Sequence, residues 1–236
     1  MGTSSDYTGG SGRNWMQYRR AASNFARRGG ADRADKVLAR YIGALGGAAA
    51  AAASGRAAGV SAGQAVADFG SGIATAGLTE TLERLGLGHL VGQDRYDVLD
   101  GLVEALVGDG GTLEDQAVQS AVIEAFTDLY PEEAQEYEDL AAVELDRAAL
   151  VRFIERFVAE WAYARMLPTL AEKFSHIEDP DEARVRYKEL RERLEALVKL
   201  EIGSRDPLSV AWRDPEGEAI VTKVIDQLYE DMEDLE

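Results

Sequence analysis

Apolar residues recur at three- and four-residue spacing along most of this chain and almost never alternate, so the pattern predicts helices throughout. Asn14 stands as the cap of a first helix carrying Trp15, Tyr18, Ala22 and Phe25, closed by Gly29-Gly30. Asp32 opens a second, with Val37, Leu38, Tyr41, Ile42 and Leu45, which runs into Gly46-Gly47 and the alanines of residues 48–53. Ser61 with Gln64 has the form of a capping box for a third helical stretch, ending near Gly86 or Gly88.

Beyond Asp94 the pattern is plainer. Tyr96, Leu99, Val103, Leu106 and Val107 share one face, stopped by Gly108 and Gly110-Gly111. Thr112 starts a helix with Leu113, Ala117, Val118, Ala121, Ile123, Phe126 and Tyr130, ahead of Pro131. A long helix from about Asp146 carries Phe153, Phe157, Trp161 and Tyr163, and Pro168 is expected to interrupt it, because an interior proline costs a helix ~3 kcal/mol. Asp179-Pro180 and Asp214-Pro215 are start signals, a cap followed by proline at the first helical position. The first opens a helix with Val185, Leu190, Leu194, Leu197 and Val198, expected to end at Gly203. The second opens one with Ile220, Val224, Ile225, Leu228 and Tyr229. The fold class is all-α: an irregular bundle of seven to eight helices behind a Gly/Ser-rich arm.

Residues 43–79 are rich in Ala and Gly, and three readings are open: a transmembrane span, a flexible linker, or helices packed closely through small faces. Arg56 and Asp68 interrupt the stretch and Ala/Gly is only weakly apolar, which favours close packing. The chain then divides into an arm (1–12), a basic and then Ala/Gly-rich helical part (13–90) and an acidic helical part (91–236).

Charge sharpens that division. The net charge is −18, yet residues 1–60 hold nine Lys/Arg against three Asp/Glu, leaving 16 against 40 in the remainder. An acidic body repels nucleic-acid backbones. The basic segment suits either an anionic partner or the body itself. Trp15, Tyr18 and Phe25 among Arg19, Arg20, Arg27 and Arg28 resemble a single-strand-binding pattern, but their helical spacing is that of a packed face. Without cysteine there are no disulfides, thiolate metal sites or cysteine nucleophiles. The start lacks a basic-then-apolar signal, so the cytoplasm is the expected compartment.

No catalytic constellation is legible. His89 and His176 read as helix-end residues. The carboxylates of residues 131–139 and 230–236 lack an EF-hand pattern and read as solvated surface. The glycines of residues 43–63 lack the Lys-Ser/Thr of a P-loop. No metal, cofactor or enzyme activity is expected.

The first twelve residues are the most informative stretch. MGTSSDYTGGSG has neither periodicity nor apolar content, and predicts a flexible arm. Gly2 permits removal of Met1, which leaves an uncrowded α-amine, a group that titrates at about 8. Asp6 departs from the Ser/Thr of a myristoylation signal. The arm reads as a peptide presented to another protein's active site.

This start, followed by a basic-aromatic helix and an Ala/Gly-rich zone, resembles the QatB family of the Qat anti-phage defence system. The match is close over about twelve residues and looser in organisation to residue 90. The resemblance implies a protein substrate of QatC, an enzyme related to the QueC enzymes that make 7-cyano-7-deazaguanine. It implies that Gly2 is joined through an amide to a 7-deazaguanine, with Thr3, Ser4 and Ser5 recognised by the partner. Exposed parts of residues 14–28, among them Trp15, Tyr18, Arg19 and Arg20, are the expected docking surface. An ATPase and a TatD-like nuclease of the same system are further implied partners. Two alternatives remain: a structural adaptor with an inert tail, and a membrane-active effector using residues 43–79.

Overall fold

The computed structural model describes residues 12–107, 111–130, 133–203 and 205–235. Ten α-helices and two 3-10 turns, with no strand, make up the regular structure among the described residues, so the all-α expectation holds with more helices than foreseen. The first two, α1 (Arg13–Arg28) and α2 (Ala31–Leu45), form an antiparallel hairpin. Asn14 does not cap α1; it lies inside the first turn and donates its Nδ2 to the Gly43 carbonyl at 2.9 Å.

The Ala/Gly zone is one helix, α3 (Ala48–Ala76), running straight through Ser61. Ser61 is therefore no cap, and Gln64 instead donates to the carbonyl of Trp212 at 2.8 Å. Gly46 and Gly47, at φ 100° and 98°, turn the chain by 82° between α2 and α3, a backbone only glycine adopts cheaply. Gly77 (φ 85°) separates α3 from the short α4 (Leu78–Arg84).

Helix α3 sits at the centre and packs chiefly on α10 (Pro215–Glu233) and α8 (Arg147–Phe174). Glycines make this possible. A methyl at Gly59 would lie 2.6 Å from the Trp161 ring, one at Gly63 2.7 Å from Val221, and one at Gly70 2.7 Å from Leu150. Close packing through small faces is thus what residues 43–79 do. Glycines cost a helix ~1 kcal/mol each, so α3 owes its stability to the partners that its bare faces admit.

Thr112 and Asp179 each accept a backbone N–H at the starts of α6 (Leu113–Leu129) and α9 (Pro180–Leu197), as their sequence signals predict; Asp94 and Asp146 do the same for α5 (Arg95–Val107) and α8, whereas Asp214 stands at the start of α10 without a side-chain cap bond. Pro168 does not break α8. Buried Trp161, Met166, Leu170 and Phe174 lie on both sides of it, and their burial outweighs the ~3 kcal/mol an interior proline costs. The inner face of α5 is Val98 and Leu102 rather than the stripe led by Tyr96, which is 69% exposed. Helix α9 stops at Leu197, short of Gly203, because Val198 and Leu200 turn inward and the Leu200 N–H meets Glu155 Oε1 at 2.8 Å. The five-residue α7 (Tyr137–Ala141) completes the set. Buried residues from Tyr18 to Met232 join in one hydrophobic core that spans residue 90.

Candidate functional site

Gly12 is extended (φ −71°, ψ 161°) and exposed where it leads into α1. Three residues on, half-buried Trp15 stands edge-on to Tyr18 and Tyr41, with ring centres 5.7 and 6.5 Å away. The Tyr18 hydroxyl lies 2.7 Å from Thr169 Oγ1, and the Tyr41 hydroxyl donates to the Arg165 carbonyl at 3.3 Å. Burial pushes the Tyr18 phenol well above its ordinary range. This aromatic trio fastens the first turn of α1 to α2 and α8.

The expected docking residues are separated by that packing. Tyr18, 1% exposed, is core, so its side chain has no part in the surface. Trp15 shows an edge. Arg19 is half-buried on the side of α8, where, after the stronger influence of Lys173, it helps hold the Glu172 carboxyl below its usual value. Arg20 is exposed in a hollow of about 480 Å³ that it shares with Arg27, Lys173 and His176. Gly2, Thr3, Ser4 and Ser5, and the arm as a whole, lie outside the described residues.

Two buried charges on α8 are features the sequence reading missed. The Arg165 side chain, 1% exposed, donates to Glu114 Oε1 at 3.1 Å, the Ala51 carbonyl at 3.3 Å, Ser54 Oγ at 2.6 Å and the Tyr229 hydroxyl. It also lies 5.0 Å from the centre of the Trp161 ring. With acceptors on α3, α6 and α10, it is a bolt through the core.

Glu160 is 2% exposed and its Oε1 lies 3.1 Å from both Arg156 and Arg191. Arg156 also pairs with Asp128 at 2.6 Å and with Glu195, and Arg191 with Glu124 at 3.1 Å. Burial pushes Glu160 up to about 7, against the pull of Arg191 and Arg156. A cavity of about 470 Å³ adjoins this cluster, lined in part by Asp128, Arg152, Glu155 and Glu195. Among the described residues no histidine, serine, threonine or lysine lines it. Both buried charges could have been suspected, since Arg165 follows Trp161, and Glu160 follows Phe157, on the apolar stripe of α8.

Elsewhere the chemistry is sparse. His89 and His176 are exposed, in a 3-10 turn and just past α8. Among the described residues no group of three His, Asp or Glu is placed to hold a metal ion. No single helix there is long and apolar enough to cross a membrane, and the one pair that passes by length and composition, α2 with α3, is the pair bent by 82°.

No curated protein and no solved structure is significantly similar to the chain. The family model described as "Qat anti-phage system associated protein QatB" matches residues 46–232, from the bend before α3 almost to the end of α10. The short N-terminal motif that carried the resemblance precedes the matched region. By that match, over most of its length, the chain belongs to the QatB family and has its place in anti-phage defence.

Proposed function

We propose that this protein carries out no chemistry of its own and is the defence component whose N-terminal Gly2, freed by loss of Met1, is conjugated to a 7-deazaguanine by a QueC-like partner enzyme. The partner activates a deazaguanine carboxylate with ATP. The Gly2 amine attacks the activated carbonyl, the bond to the leaving group breaks, and the amine proton is lost as the amide forms. Thr3, Ser4 and Ser5 add side chains small enough for a narrow tunnel.

The observation that carries this reading is the anchored start of α1 in a member of the QatB family. Trp15, Tyr18 and Tyr41 hold that turn to the core, which gives the residues before Gly12 a fixed point of attachment. Once the body is docked, a tether of this length gives its end an effective concentration in the millimolar range, which offsets the weak affinity of a short peptide. Trp15, Arg19 and Arg20 border that point and contribute to docking. The ATPase and TatD-like nuclease of the system are candidates for contact with the acidic body. Helix α3 supports a non-membrane role, since its glycine faces are filled by α8 and α10.

The test is the intact and N-terminal peptide mass after expression alone and together with the neighbouring QueC-like enzyme. A deazaguanine-sized adduct on Gly2 only in the second sample is the expected result. An unmodified Gly2 beside a demonstrably active partner refutes the reading and leaves the structural adaptor.

A further inference from the structure

The N-terminal basic residues do not scatter around their helices. On α1, Arg13, Arg20 and Arg27 recur every seven residues, two turns apart, and all are exposed. On α2, Arg33, Lys36 and Arg40 recur at three- and four-residue spacing, opposite the buried Val37, Leu38 and Tyr41. The register of the hairpin brings the two rows side by side, with Asn14 bonded to Gly43 at one end and Arg40 Nη1 donating to Gln17 Oε1 at 3.2 Å further along. Six cations thus line the outer side of the hairpin, where Asp32 is exposed among them and Glu233 of α10 borders the hollow beside Arg40, in a chain of net charge −18.

Much of this charge is not consumed within the molecule. Among the described residues Arg13, Arg20 and Lys36 have no carboxylate within ion-pair distance. By contrast, the nearby Asp35 is taken by Arg193 of α9, at 3.2 Å for one of its oxygens. Two arginines are braced rather than neutralised, Arg27 Nε on the Ser23 carbonyl at 3.2 Å and Arg33 Nη1 on the Gly29 carbonyl at 2.9 Å. Met16, 59% exposed on the same face of α1, adds an apolar contact point.

We propose that the paired outer faces of α1 and α2 are an electrostatic docking platform for an acidic protein surface, namely the rim of the partner site that receives the arm. This rests on the reading that a partner enzyme takes the N-terminus. The platform meets the docking residues named above at Arg20 and extends away from Trp15, which lies against Tyr41. Its shape selects its partner. The α1 row is about 21 Å long, fourteen residues at 1.5 Å each, and the α2 row about half that, in a chain that is strongly acidic overall. An extended phosphate backbone reaching past so short a platform meets the field of a chain of net charge −18, whereas a compact acidic patch fits within the platform's length. Surface charges of this kind speed and orient encounter more than they add affinity, and they are screened beyond about 8 Å at physiological salt.

The test compares three full-length proteins: wild type, R13E/R20E/K36E, and R147E/R213E/K223E, which carries the same charge change at the start of α8, just before α10 and in the middle of α10. Circular dichroism and the thermal midpoint establish that each is folded. Binding to the QueC-like enzyme is measured at low and physiological salt, alongside the N-terminal mass of each protein and binding to a 20-base-pair duplex DNA. We expect the hairpin variant to bind at least tenfold more weakly at low salt, mainly through a slower association rate, while the control variant keeps wild-type affinity. The gap between them should shrink as salt rises. Equal weakening of both variants, or of neither, overturns the platform, even where Gly2 is still conjugated. Wild-type affinity for the enzyme with Gly2 left unmodified overturns the substrate reading and leaves the platform standing. Duplex binding by wild type that is lost in the hairpin variant, with enzyme binding unchanged, assigns the face to nucleic acid instead.

Discussion

Gly59→Ala asks whether α3 is held by contact or by composition. The added methyl would sit 2.6, 2.8 and 2.9 Å from three carbons of the Trp161 indole, where relaxed carbon contacts need about 3.5 Å. The ring cannot give way. It is fully buried, with the Tyr229 ring edge-on at 6.1 Å and the Arg165 guanidinium 5.0 Å from its centre. So α3 and α8 must part by about 1 Å, and overpacking of this kind costs ~1–3 kcal/mol. Alanine returns up to ~1 kcal/mol of helix propensity, which leaves a net loss of about 1–2 kcal/mol. Gly43→Ala supplies the control. Gly43 is also helical, but nothing lies within 4 Å of its would-be methyl, so that variant should gain about 0.5–1 kcal/mol. Urea titration followed by circular dichroism reads both, and the thermal midpoint should fall by about 3–6 °C for the first and rise by about 1–3 °C for the second. Adding Trp161→Phe to Gly59→Ala should cost less than the sum of the two single changes, because the smaller ring vacates the clash. A Gly59→Ala protein as stable as wild type would refute the close-packing account of residues 48–76.

Two further outcomes follow from the buried charges. Glu160→Gln should gain stability relative to wild type as pH rises from 5 to 8: folding raises Glu160 to about 7, so between about 4.5 and 7 the folded state keeps a proton that the unfolded chain has released, and above 7 the charged carboxyl opposes folding by up to about 3 kcal/mol. Unfolding free energies of the two proteins across that range check this, and a difference that does not vary with pH would show that Glu160 titrates normally. Arg165→Ala should cost about 3–5 kcal/mol, because it strands the Glu114 carboxylate and the Ser54 and Tyr229 hydroxyls, and Arg165→Met, which restores much of the packing but strands the same groups, should still show most of that loss; a Met variant as stable as wild type in a thermal melt would deny the hydrogen bonds their role.

How much the sequence revealed tracks how local each signal is. The caps at Thr112 and Asp179 depend on a side chain and an N–H two or three residues away, and both read correctly. Ser61 has the same local form and fails, since the choice between a helix start and a helix interior there is made by Trp161 and Val221, a hundred residues and more away. Pro168 fails for the same reason. The length of α9 depends on where Leu200 finds cover, which no window around Gly203 contains. At the candidate site, the seven-residue spacing of Arg13, Arg20 and Arg27 was visible. That they join Lys36 and Arg40 was not, because it needs the register of two helices. Tyr18 was visible as an aromatic on a helix, but whether it faces a partner or Thr169 is a tertiary fact.

Helix α3 has its bare glycine faces covered by Trp161 and Leu150 of α8 and by Val221 of α10, all downstream of it in the chain. During synthesis it emerges long before any of them. A 29-residue segment so rich in glycine has little reason to stay helical alone. The bolt at Arg165 closes only when Tyr229 arrives. The amino terminus, first off the ribosome, therefore gains its folded carrier last, and a chain cut short before α10 would offer a tail with no body behind it. Folding acts here as a completeness check on the protein.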